Sequence, residues 1–172
     1  MPDERRICII DANILFDFQA GECLDILFSL PFDFRTSDIV VYEVRDSFTR
    51  QELGLLGLKI EEFAGEQNKT IFSIARDHAE LSIQDISVFL LAERYGAYLI
   101  SGDGMLREFG EAHLIECHGT IWFLEMLLRA KIISHSGAAR ALRNMLENAR
   151  PPRRLPRAEC EKRIRKWESM GL

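Results

Sequence analysis

The chain has 172 residues, 47% of them hydrophobic, with few Gly or Pro and a net charge of −5. That is long enough to bury a real core and is most simply one globular domain. No apolar run approaches the length of a membrane span, and the opening Met-Pro-Asp-Glu-Arg-Arg leads at once into a strand and not into a signal peptide, so a cytoplasmic protein with no membrane partner is expected.

The charge is uneven. Residues 150–172 hold eight Lys or Arg against three Glu, a local +5, which leaves −10 on residues 1–149. The acidic body argues against broad non-specific nucleic-acid binding, and the basic tail could supply it locally. The natural division is a body over 1–149, then a basic linker and a terminal helix over 150–172 that docks back on the same domain. Cys8, Cys23, Cys117 and Cys160 lack metal-ligand spacing and read as reduced thiols.

Taken in order, Arg6 to Ile10 reads as the first central strand of a parallel sheet, closed by Asp11. Asp11-Ala12-Asn13 opens a helix, and helix capping alone would account for either polar residue. Gly21 to Leu30 predicts a second helix ended by Pro31, and Phe32 to Arg35 a second strand. Ser37 or Asp38 caps the next helix, whose stripe is Val40, Val44 and Phe48, with Glu43 beside the stripe. Ordinary solvation of a helix glutamate would equally explain Glu43. Gln51 to Leu58 is ambiguous because of its glycines, Leu58 to Phe63 suits an edge strand, and Glu66 to Glu80 a polar helix.

The stretch from Leu81 to Glu108 organises the rest. Ser82 and Asp85 form a capping-box start, an apolar helical run follows, and Gly96 stops it. Ala97 to Ile100 is a buried strand that ends in Ser101-Gly102-Asp103-Gly104, so an acid waits at its carboxyl end. Beyond it come a short helix over Met105–Phe109, a strand over Leu114–Cys117 and the turn His118-Gly119-Thr120. A helix with Ile121, Leu124, Leu127 and Leu128 inward then pairs with a second over Gly137–Asn148. After the stiff linker from Arg150, Ala158 to Met170 forms the last helix, whose Trp167 calls for a docking groove.

Four acids thus fall at comparable places: Asp11, Glu43, Asp85 and Asp103. Alternating strands and helices with right-handed crossovers would bring them to one sheet edge, where ligands of open α/β sheets bind. Carboxylates gathered there raise one another's pKa unless a cation neutralises them, and hard oxygen ligands suit Mg²⁺ or Mn²⁺. Such a site activates water and clamps an in-line displacement at phosphorus. A dinucleotide site at Gly102-Asp103-Gly104 fails, because Arg107 stands where the third glycine is needed and Asp103 would repel a pyrophosphate.

The order Ile-Ile-Asp-Ala-Asn, a helical Glu, and then Gln84-Asp-Ile-Ser-Val-Phe-Leu-Leu-Ala-Glu-Arg-Tyr-Gly-Ala-Tyr-Leu-Ile-Ser-Gly-Asp-Gly-Met-Leu-Arg107 resembles PIN-domain ribonucleases. His118-Gly-Thr-Ile-Trp122 and Arg154-Leu-Pro-Arg157 are similar to a bacterial, type II toxin-like subgroup. The resemblance implies a three-layer α/β/α fold with a parallel sheet in the order 3-2-1-4-5 and Mg²⁺- or Mn²⁺-dependent hydrolysis of RNA phosphodiester bonds. It further implies a homodimer and the toxin role in a toxin–antitoxin pair. Carried over, Asp11, Glu43, Asp85 and Asp103 are the metal-binding catalytic acids, with Asp46 a competitor for the Glu43 role. Asn13 and Ser101 are the polar neighbours that orient ligands or phosphate. From the charge of the tail, Arg153 and Arg154 are expected on the RNA backbone, or else in a solvated linker. The alternative of another class is an inactive relative that keeps the fold as a binding or scaffold protein.

Overall fold

The computed structural model describes residues 5–148 and 155–171. Five parallel strands form the sheet, in the order β3-β2-β1-β4-β5: β1 (Ile7–Ile10), β2 (Asp33–Ser37), β3 (Lys59–Glu61), β4 (Tyr98–Ile100) and β5 (Cys117–His118). The central strands β1 (Ile-Cys-Ile-Ile) and β4 (Tyr-Leu-Ile) are apolar because helices cover both of their faces, whereas β2 and the edge strand β3 carry charged residues.

Alternation along β2 shows which helices lie where. Arg35 and Ser37 point to one face, where the Arg35 guanidinium lies 4.5 Å from the Tyr95 ring and Ser37 Oγ shares a 2.6 Å hydrogen bond with Ser87 Oγ. Tyr95 and Ser87 both belong to α6 (Ile83–Tyr95), which packs along β1, β2 and β4 with α3 (Asp38–Glu43) and α5 (Glu66–Asp77) beside it. Phe34 points the other way, into a ring cluster with Phe123 (5.7 Å between centroids), which also meets Phe18 at 6.1 Å. Those rings join β2 to α1 (Ala12–Ala20) and α8 (Thr120–Arg129).

Local sequence accounts for most of the element ends. The capping box of Ser82 and Asp85 starts α6, and Gly96 ends it in the left-handed region at φ 55. A second capping box, Thr49 with Glu52, starts α4 (Arg50–Leu56), which resolves the ambiguous Gln51–Leu58 stretch as helix. Ser37, and not Asp38, caps α3.

Three expected elements differ, the first being the helix with the stripe Val40, Val44 and Phe48, which ends at Glu43 and leaves the buried Phe48 beyond it. No helix runs from Gly21 to Leu30: the Cys23 N–H donates to the Phe18 carbonyl and Glu22 takes φ 56, so the chain folds back on the end of α1. Only the single turn α2 (Leu24–Leu27) follows. The strand expected over Leu114–Cys117 shrinks to Cys117–His118, because α7 (Gly104–Ala112) continues past Phe109 and Leu114 is a left-handed, 96% exposed turn residue. Gly110 allows that tight return, since a Cβ there would lie 2.7 Å from Cys117 Sγ.

In the C-terminal part, α9 (His135–Glu147) touches α8 and α1, but its principal partner is α10 (Arg157–Met170). Cys160, Ile164 and Trp167 of α10 are buried, Arg163 pairs with Glu125 of α8, and Arg143 of α9 pairs with Glu168. Among the described residues no helix is long and apolar enough to cross a membrane. Phe123 is fully buried at the junction of β2, α1 and α8. Phe123→Ala is expected to lower the unfolding free energy by about 3–5 kcal/mol, read as a lower denaturant midpoint at unchanged slope.

Candidate functional site: four acids at the carboxyl edge of the sheet

The site begins with strand register. In the parallel pair β1–β4, Ile10 stands opposite Ile100, so the next residues, Asp11 and Ser101, emerge together at the carboxyl edge. The Asp11 N–H donates to the Ile100 carbonyl (3.0 Å), and Ser101 Oγ donates to Asp11 Oδ2 (2.8 Å). Asn13 Nδ2 donates to the same oxygen (3.2 Å), and the Ala12 N–H donates to Oδ1 (2.7 Å), which caps α1. Asp11 is 3% exposed, so a carboxylate with several donors is held in the interior at the mouth of the sheet.

Ser101 ties in the next acid. Its Oγ accepts from the Asp103 N–H (3.0 Å), while Asp103 Oδ1 accepts from the Met105 and Leu106 N–H groups (2.8 and 3.2 Å) and caps α7. Asp85 holds a comparable post on α6, where its Oδ2 accepts from Ser82 N (2.8 Å) and Ser82 Oγ (2.7 Å). The Ser37–Ser87 bond fixes α3 against α6, and Glu43 is the last residue of α3.

Electrostatics link three of these acids. Burial first, then the like charges of Asp85 and Glu43, raise the Asp11 carboxyl, and the bonds from Ser101 and Ala12 lower it, for a net rise to about 7. Glu43, an exposed residue, is also raised, first by desolvation of its carboxyl and then by Asp85. Asp46, the competitor from sequence, is exposed and is not among the charges acting on Asp11. Asp103 is connected to Asp11 through Ser101. Among the described residues, no three His, Cys, Asp or Glu side chains are grouped so as to hold a metal ion. Arg153 and Arg154 lie outside the described residues.

A family model described as a PIN domain matches residues 7–169, nearly the whole chain. The chain belongs to the PIN-domain family. PIN domains are in general nucleases that use divalent metal ions. A comparison with curated proteins finds no match. The four candidate acids would suit such an ion in kind, since they offer hard carboxylate oxygens and a cation would offset the like charge that Asp85 and Glu43 place on Asp11. Beside it, a groove of about 660 Å³ borders the residues next to two of the acids, Tyr42 and Gln84, with Arg45 and Arg50 on its wall. Tyr42 is 67% exposed, and the Arg45 guanidinium lies 4.0 Å from its ring.

Sequence reasoning missed three polar contacts that position this edge. Thr120 Oγ1 donates to Asp17 Oδ2 (2.6 Å) in the interior, joining α1 to the start of α8. Its signal was an acid enclosed by Phe16 and Phe18, where a solvated carboxylate is out of place. Arg107 Nη1 donates to the Ser101 carbonyl (2.7 Å), and Ser87 binds Ser37; neither pair has a local pattern to betray it.

A buried acid whose folded pKa is raised holds its proton longer in the folded than in the unfolded chain. Its ionisation therefore removes stability as pH rises from the ordinary Asp value of 3.8 to about 7. Asp11→Asn keeps a good capping residue and abolishes that cost. In metal-free protein the variant is expected to match the wild type near pH 4 and to exceed it above pH 7 by on the order of a few kcal/mol, measured by urea unfolding across pH.

Proposed function

We propose that this PIN domain is a metal-dependent endoribonuclease, and the observation that supports it is the buried Asp11 carboxylate at the carboxyl edge of the sheet, tied through Ser101 to Asp103 and raised in pKa by Asp85 and Glu43. In this reading residues 1–149 are the catalytic unit, Asp11, Glu43, Asp85 and Asp103 hold Mg²⁺ or Mn²⁺, and Asn13 and Ser101 keep the Asp11 carboxylate in place. A bound ion would supply an activated water and neutralise charge that develops at the scissile phosphate. Asp11 must lose its proton to act as a ligand, so cation affinity is expected to rise with pH through about 7. The Tyr42–Arg45 pair offers a ring and a cation to an RNA strand beside Glu43. Arg153 and Arg154 add charge for the phosphate backbone.

The toxin role, an antitoxin partner and a homodimer rest on the subgroup resemblance of the sequence. The second reading, an inactive binding or scaffold protein, draws on the orientation of Asp85 and Asp103, whose named oxygens accept from Ser82 and from the α7 N–H groups.

Purified protein is expected to cleave RNA with millimolar Mg²⁺ or Mn²⁺ and to stop in EDTA. Asp11→Asn is expected to lose at least a hundredfold in rate while unfolding later than the wild type at pH 8, so inactivity cannot be ascribed to misfolding. Cleavage that persists in EDTA or in Asp11→Asn removes the metal-nuclease reading. A melting temperature insensitive to Mn²⁺, with no cleavage, leaves the scaffold reading. For the toxin role, induced expression is expected to arrest host growth and Asp11→Asn to spare it.

A further inference from the structure

His118, Gly119, Ile121 and Trp122 have no role in the four-acid site, yet with Thr120 they build a second wall beside it. A cavity of about 310 Å³ lies at the carboxyl ends of β4 and β5, lined by Gly102, Arg107, His118, Gly119, Ile121 and Trp122 among others. Gly102 separates Ser101 from Asp103, so the cavity begins next to the catalytic edge. The His118 and Trp122 rings are stacked, 4.1 Å between centroids and 5° from parallel. Tyr98 and Phe32 pack on Trp122 from behind, at 5.7 Å each, and a 2.9 Å bond to Glu116 holds the His118 ring.

Charge singles this cavity out. The body of the chain is acidic, but the one Lys, Arg, Asp or Glu among the described lining residues is Arg107. Its Nη1 bond to the Ser101 carbonyl (2.7 Å) steadies the guanidinium, and a Cβ on Gly119 would lie 3.5 Å from that nitrogen. Glycine at 119 therefore places no side chain against that side of the guanidinium.

We infer that this cavity seats one unpaired nucleotide of the RNA strand, its phosphate on Arg107 and its base against the His118–Trp122 ring pair and Ile121, next to the bond cut at the acids. This rests on the ribonuclease reading above. The chemistry is specific to an unpaired base: a ring wall and a fixed guanidinium recognise a flat π surface and a phosphate together, and a base inside a duplex cannot leave its stack to reach them without an unpairing cost. The volume lies at the lower end of the ~300–1,000 Å³ range of ligand sites, which suits one nucleotide and not several. The subsite makes the enzyme select single-stranded or looped RNA.

The test is binding to the full chain in EDTA, where no cleavage occurs. Trp122 is partly accessible and Trp167 is buried at 4% exposure and shielded from ligand, so a change in tryptophan emission on binding reports this cavity. An eight-nucleotide single strand is expected to quench emission, the same strand annealed to its complement is not, and AMP is expected to bind at least tenfold more weakly. Trp122→Phe, which keeps the packing on Phe32 and Tyr98, is expected to remove the quench. His118→Ala and Ile121→Asp are expected to weaken binding of a fluorescein-labelled strand about tenfold by anisotropy, with an unchanged circular dichroism spectrum. Quenching by the duplex equal to that by the single strand, AMP binding as tight as the strand, or full affinity in both variants each overturns the inference. Cleavage in Mn²⁺ is scored separately. A protein that cuts RNA without these signals keeps the nuclease function and loses the subsite, whereas a strand seated at Trp122 with no cleavage keeps the subsite as a binding site and loses the nuclease.

Discussion

The hydrogen bond from Ser101 to the buried carboxylate of Asp11 spans 90 residues of chain and depends on one constraint, the parallel register of β1 and β4. With Ile10 beside Ile100, the residues that follow both strands leave the sheet at the same level. A shift by one residue would turn Asp11 to the opposite face and break its contact with Ser101. Asp103, Asn13 and Arg107 are all tied to that pair, Asp103 and Arg107 through Ser101 and Asn13 through Asp11. The second tie, Ser37 with Ser87, sets α3 and α6 in the positions from which Glu43 and Asp85 act on Asp11.

The capping and catalytic readings of these acids are compatible. Asp11 caps α1, Asp85 completes the box that starts α6, and Asp103 caps α7. In an open parallel sheet each strand-to-helix turn lies at the carboxyl edge, so a residue that caps a helix directly after a strand is delivered to the ligand crevice by the same geometry. Asp11 and Asp103 follow that rule. Glu43 does not, since it ends its helix, and its carboxyl is raised by desolvation and by Asp85. The stability cost of a charge at this edge therefore falls on Asp11, which is buried, close to like charges and destabilising once ionised.

The C-terminal third carries the other layer. The ring cluster of Phe18, Phe34 and Phe123 seats α8 on the sheet, and the buried Asp17–Thr120 bond sets where α8 begins. That start carries His118 to Trp122 to the edge of the acid site. The basic tail is partly paired with the rest of the chain, through Arg163 to Glu125, and its apolar side is closed by Trp167, so α10 serves as a cover for α9 as well as a reserve of charge.

How far sequence carried this protein depends on the range of the interaction concerned. Ser82 with Asp85, Gly96, the apolar runs of β1 and β4 and the apolar side of α10 are local patterns, so the elements, the parallel sheet and the four candidate acids could be read directly, with the family resemblance supplying the strand order 3-2-1-4-5 that the sheet adopts. The reversal at Gly21–Cys23 is not legible in the sequence, because a left-handed Glu22 followed by a Cys23 N–H bond back to the Phe18 carbonyl leaves no mark of its own in composition. The strand at Leu114 was misread because its apolar side chain faces water in a turn. The residues alone determined which chemistry was available, hard oxygen ligands at the ends of strands. Only the tertiary structure decided which acids act on one another, that Asp11 is the one deprived of water, and that His118 and Trp122 stack beside Arg107. Burial, charge coupling and ring geometry are properties of distances between segments, and those distances exist only once the sheet has formed.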